Sequence, residues 1–146
     1  MPDEMEKSTM NKAGIPEISD KISALCSQEP AIDAAYIFGS RARGSTGTER
    51  DLDVALLLKE GRGSEFSLLS FMSSLERACQ CRADVVILNH AGEILKYEVR
   101  RIGRLIFERD SERRKQFEVS GRKKYDDFLS LHRKYSEAVL YGKEHG

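Results

Sequence analysis

Two aspartates one residue apart, Asp51 and Asp53, follow the dipeptide Gly39-Ser40 after an interval of ten residues. An apolar run over 34–38 enters the Gly-Ser pair, Arg41 and Arg43 come directly after it, and the acids open a second apolar run. Residues i and i+2 of a strand share a face, so both carboxylates would point the same way. Two acids on an otherwise apolar strand are costly unless they are paired or metal-bound. Mg²⁺ takes oxygen ligands and leaves its other positions to water or phosphate. Two such ions about 3.5–4 Å apart can clamp the attacking and leaving oxygens of a phosphoryl transfer. Two ions need more carboxylate than one pair supplies. Asp84, at the head of a third apolar run, is the candidate third ligand, although alone it would read as a strand-edge acid.

The Gly-Ser pair suits the other half of such chemistry. Gly39 has no side chain to hold the backbone away from a phosphate. Ser40 offers a hydroxyl and an N–H. If 40–43 turn into a short helix, its N-terminus faces the phosphates. The guanidinium forks of Arg41 and Arg43 fit phosphate oxygens. A Gly-Ser pair by itself is a generic turn, and only its combination with Asp51 and Asp53 is informative.

These residues need elements to hold them. Pro16 suits the first turn of a helix, whose apolar stripe is Ile18, Ile22 and Leu25/Cys26. The run 34–38 reads as a buried strand closed by Gly39. Leu52, Val54, Leu56 and Leu58 fall on one face of the next strand and the two acids on the other. Phe66, Leu69, Met72, Leu75 and Cys79 recur at helical spacing, giving a helix over 65–80 with Ser64 as N-cap. A third strand spans 84–88, a helix runs over 93–102 until Gly103, and 105–107 forms a short fourth strand. From Ser111 the chain reads as helix, broken or kinked near Gly121. Tyr125, Phe128, His132, Tyr135 and Val139 line one side of its last part. Core packing is the default for this stripe, and a partner-docking face is the alternative.

At 146 residues, 40% hydrophobic and 33% charged, the chain is one globular domain with a polar surface. Net charge is zero, so bulk charge does not argue for nucleic acid. Its distribution is uneven: 96–124 carry eleven Lys/Arg against five acids. That excess is either a solvated helix face or a docking face for an acidic partner or a phosphate-bearing substrate. Cys26, Cys79 and Cys81 read as buried, reduced thiols. His90, His132 and His145 read as structural or peripheral, and no His/Cys cluster suggests zinc. The N-terminus lacks the apolar stretch of a secretory signal and no run is long enough to span a membrane, so the expected location is cytoplasmic.

The order Gly39-Ser40-Arg41-Ala42-Arg43-Gly44, Asp51-Leu52-Asp53, Ala83-Asp84-Val85-Val86 resembles the signature of the DNA polymerase β nucleotidyltransferase superfamily, and within it the minimal nucleotidyltransferases (MNT). The stretch from Tyr97-Glu98-Val99-Arg100-Arg101 to Arg109-Asp110 resembles the MNT antitoxins paired with HEPN-domain toxins. The resemblance implies an α+β fold, a small mixed β-sheet flanked by helices, with a C-terminal helical extension. Residues 1–15 would be a mobile arm, 16–110 the nucleotidyltransferase domain and 111–146 the extension packed on it. Asp51 and Asp53 would hold two Mg²⁺ ions and Asp84 one of them, with Asp84 helping to deprotonate the acceptor. Gly39 and Ser40 would grip the β- and γ-phosphates of ATP, assisted by Arg41 and Arg43. The implied reaction moves AMP to a tyrosine hydroxyl of a cognate HEPN RNase toxin and releases pyrophosphate. Direct nucleic-acid binding is not expected, and homo-oligomerisation is left open. Two alternatives stand beside this reading: a non-catalytic antitoxin acting by steric binding, and transfer to a small-molecule hydroxyl.

Overall fold

The computed structural model describes residues 15–39 and 51–145, with side chains over 17–39 and 51–140. Its elements in chain order are α1 (Ile15–Ser27), β1 (Ile32–Phe38), β2 (Leu52–Leu58), a 3-10 turn (Gly63–Glu65), α2 (Leu68–Cys79), β3 (Ala83–Ile87), a second 3-10 turn (Leu88–His90), α3 (Glu93–Ile102), β4 (Arg104–Glu108) and α4 (Ser111–His145). The strands form one mixed sheet in the order β3-β2-β1-β4. β1 pairs antiparallel with β2 and with β4, while β2 and β3 run parallel. The expected α+β fold is therefore present.

Period-two alternation divides the strands between two cores. Leu52, Val54, Leu56 and Leu58 of β2 join Ile37 and Val85 against Ile18, Ile22 and Cys26 of α1 and Phe71 and Leu75 of α2. The opposite face carries Tyr36, Phe38, Ala55 and Leu57, packed against Val99 and Leu95 of α3 and Phe117 of α4. Leu52, Leu56, Leu57 and Leu75 are wholly buried, each contributing about 1.5–3 kcal/mol relative to exposure. The face that bears Asp53 is thus a second core, not a solvated side. The runs Ala34-Ala35-Tyr36-Ile37-Phe38 and Val54-Ala55-Leu56-Leu57-Leu58 contain that information, because a continuous apolar run marks a strand covered on both faces.

Polar contacts lock the layers together. Arg109 donates from Nε to the Ile32 carbonyl at 3.1 Å and from Nη2 to the Cys26 and Ser27 carbonyls at 3.1 and 3.2 Å, capping the C-terminus of α1 with a cation. The Asn89 amide continues the ladder beyond β2, accepting from Leu58 N and donating to Leu58 O, both at 2.9 Å. On the other face, Tyr36 Oη donates to Glu118 Oε1 at 2.7 Å, and Arg114 bridges Glu118 and Glu108 at 3.0 and 2.6 Å.

Several expectations need correction. α2 starts at Leu68 with Ser67 as its N-cap, accepting from Ser70 N, and Ser64 belongs to the preceding 3-10 turn. β1 begins at Ile32, because Asp33 is buried within the strand and does not end it. Cys26 is buried, but Cys79 and Cys81 are only half-buried. α4 is unbroken through Gly121. That glycine is buried, and a Cβ there would overlap Arg100 Nη1 of α3, so it permits close helix packing and does not break the helix. Tyr125 and Phe128 are half-buried, whereas His132 and Tyr135 are exposed, so core packing accounts for only the first part of the aromatic stripe. Of the arm expected over 1–15, residues 1–14 lie outside the described residues, and Ile15 already belongs to α1.

Tyr36→Phe would strip the phenol that ties β1 to α4 and leave Glu118 Oε1 part-buried without that donor. A loss of about 1–2 kcal/mol is expected, read as a lower urea midpoint with an unchanged slope.

Candidate active site

The parallel β2–β3 register places Asp53 directly beside Asp84, and the antiparallel β1–β2 register places Phe38 on the other side of Asp53. Asp51 stands one residue before β2 and is exposed, as is Asp84, while Asp53 is partly buried. The structure therefore brings all three acids of the sequence motif to one end of the sheet, two of them as cross-strand neighbours. Two further bonds maintain that register. Leu52 N donates to the Arg82 carbonyl at 2.8 Å, and Ala83 N donates to Glu76 Oε1 of α2 at 3.2 Å. Glu76 was not legible as a site-supporting residue, because a glutamate on an amphipathic helix looks like any solvated position.

Gly39 closes β1 at φ +74°, a conformation that side chains rarely tolerate. Its relation to the acid is steric as well. A Cβ at position 39 would overlap Asp53 Oδ2, so the turn glycine and the central carboxylate occupy adjoining space. Ser40, Arg41 and Arg43 lie outside the described residues.

The Asp53 carboxyl is held above its ordinary range, first by burial and then by the negative charges of Asp84 and Asp51. Each cause penalises the ionised form. The penalty on folding is complete above the raised pKa and disappears as the pH falls below the ordinary aspartate range. No cation among the described residues offsets it in that balance. Partly buried, mutually repelling carboxylates fit a divalent cation, which would supply the missing positive charge. Among the described residues, no group of three or more His, Cys, Asp or Glu side chains is gathered closely enough to hold a metal ion by itself. Three oxygen donors with phosphate and water completing the sphere suit Mg²⁺ better than an all-protein cage does.

A mixed sheet with adjoining aspartates on parallel strands, beside a tight glycine turn, frames the candidate site. Residues 20–112 match the family described as Polymerase beta, Nucleotidyltransferase, and the chain belongs to that family. The fold is also shared with solved toxin–antitoxin structures. A chain of a toxin–antitoxin crystal structure with AMP-PNP superposes with a TM-score of 0.70 at 21% identity, over 84% of this chain and 98% of that one. A chain of the MntA-HepT toxin–antitoxin gives 0.65 at 19%, over 84% and 97%. A chain from the complex of tri-AMPylated Shewanella oneidensis HEPN toxin with MNT antitoxin gives 0.65 at 20%, over 84% and 96%. No curated protein matches the sequence. Among the described residues, no helix is long and apolar enough to cross a membrane.

Asp53→Asn removes the disfavoured charge while keeping the shape. At neutral pH without divalent metal the variant should melt at a higher temperature than the parent. Added Mg²⁺ should raise the melting temperature of the parent and leave the variant nearly unmoved. Gly39→Ala should be destabilised and should lose the Mg²⁺ response, since both the backbone and Asp53 would have to shift. Thermal scans with and without Mg²⁺ check all three expectations.

Proposed function

We propose that this protein is an Mg²⁺-dependent nucleotidyltransferase antitoxin that moves AMP from ATP onto a tyrosine hydroxyl of a cognate HEPN toxin. The observation that carries the transferase reading is the cross-strand pair Asp53–Asp84 beside Gly39. The antitoxin role and the protein acceptor are supported by the fold shared with toxin–antitoxin chains, one determined with AMP-PNP and another with an AMPylated HEPN toxin.

Asp51, Asp53 and Asp84 are the residues that would hold Mg²⁺. The bound metal would neutralise phosphate charge and stabilise the oxygens of the reacting phosphate. Everything else falls to the chain. The Gly39 turn leaves room for the β- and γ-phosphates, which Ser40, Arg41 and Arg43 would grip. The acceptor oxygen attacks the α-phosphorus, a new P–O bond forms, and the bond to the β-phosphate oxygen breaks. Pyrophosphate leaves, and the tyrosine proton passes to a carboxylate. In this reading Asp84 is the carboxylate that accepts it, a role supported by its exposure near the head of β3. In this reading residues 16–110 are the catalytic unit and 111–146 the extension packed on it.

The decisive experiment is label transfer from α-³²P-ATP with Mg²⁺ to the co-expressed product of the neighbouring gene. Label on that protein, reduced at least 1,000-fold in Asp53→Ala or Asp84→Ala with the fold retained by circular dichroism, is the expected result. Label retained in either variant would remove the aspartates from the chemistry. Tight complex formation without label would favour the steric reading, and label on a small hydroxylated metabolite would favour the third.

A further inference from the structure

The face that α4 buries against the domain does not stop where the domain stops. Gly121, Tyr125, Phe128, His132, Tyr135 and Val139 follow one another at three- and four-residue intervals and so form a single stripe. Its first part is covered by α3. Tyr97 stacks on Tyr125 with ring centroids 4.2 Å apart and planes 8° apart, and Phe128 continues the stack, its ring centre 6.3 Å from that of Tyr125 and its plane 28° away. α3 begins at Glu93, so beyond His132 it has no residues left to cover the stripe. α4 continues to His145, a further length of about 20 Å at 1.5 Å per residue. On that overhang Tyr135 is 71% exposed, and Val139 and Leu140 are exposed as well.

Where cover ends, a groove of about 520 Å³ opens between the two helices, with Ile94, Tyr97, Phe128 and Leu129 on its walls. Its rim carries Arg101, Arg133 and His132 against a single acid, Glu98. Arg101 lies 5.9 Å from the Tyr97 ring centre. The uncovered stripe is one helix face wide and continues an existing helix–helix seam. Its natural complement is another helix lying where a longer α3 would have lain. The basic rim selects the sign of that helix's flanks.

We infer that the α3–α4 groove and the α4 overhang form a docking surface for an amphipathic helix of another protein, one with an apolar stripe flanked by acidic residues. The surface is distinct from the aspartate site, and the inference does not rest on the transfer reaction. Of the cations over 96–124 only Arg101 stands on this rim, and the surface gives the protein a grip on a partner that survives loss of catalysis.

The test uses the full chain and two fluorescein-labelled synthetic helical peptides. They share one Leu/Phe stripe and differ only in glutamate or lysine flanks. Fluorescence anisotropy should show binding of the acidic peptide at least tenfold tighter than the basic one. Tyr135→Glu and Val139→Glu should each weaken it at least tenfold, whereas Val119→Glu, an exposed apolar position on the opposite side of α4, should not. Reversing both rim charges, Arg101→Glu with Arg133→Glu, should exchange the preference. Binding of neither peptide, equal binding of both, or indifference to Tyr135→Glu would overturn the inference. So would sedimentation of the unaccompanied chain as a dimer that Tyr135→Glu dissociates, since the occupant would then be a second copy.

Discussion

The parallel pairing of β2 with β3 is the contact on which the site depends. It sets Asp53 level with Asp84 in neighbouring strands, a placement that two separate loops could not hold against electrostatic repulsion. Like charges opposite one another weaken a sheet, and burial adds to the cost at Asp53. The pairing persists because the rest of the two strands is apolar and covered on both faces. Leu52, Val54 and Leu56 lie beneath α1 and α2, and Ala55 and Leu57 beneath α3. Binding chemistry and fold stability therefore oppose each other across a few residues of one strand.

The second layer has a different logic. α3 and α4 cover the face that carries the acids, and α4 is held by polar contacts at its start: Tyr36 to Glu118, and Arg114 between Glu118 and Glu108. These contacts lie in the first two turns and a half of a helix of 35 residues. Past Phe128 the helix owes its position to its own stiffness. A site-bearing core and a projecting arm thus share one chain, joined by the α3–α4 seam.

The gathering of Gly39 and the three aspartates at one end of the sheet was legible because its constraints are local. Gly39, Asp51, Asp53 and Asp84 each mark a strand end, and strand alternation alone predicts which face the acids take. The errors have a common origin in contacts between distant residues. Gly121 looks like a helix breaker until Arg100 is seen packed against it. Asp33 looks like a strand boundary until its burial beside Arg113, 3.8 Å away, is known. The stripe from Tyr125 to Val139 is uniform in sequence, yet only its first part is covered, because the length of α3 decides where cover ends. Glu76 gave no signal, since its partner is a backbone N–H that any residue could supply.

Gly39 is constrained twice, by its positive φ and by the carboxylate of Asp53 next to it. The two constraints have different histories available to them. In a lineage that let Asp53 shrink to alanine, the overlap with the carboxylate would go and only a 3.3 Å contact with the Cβ would stay, while the backbone barrier would remain. Asparagine, which tolerates left-handed geometry, would then be the first residue to drift in. Its arrival would close the road back, because a restored aspartate would no longer fit beside it. Loss of the Asp53 carboxylate would thus be a ratchet, and the pair of residues at 39 and 53 would record on which side of it a descendant stands.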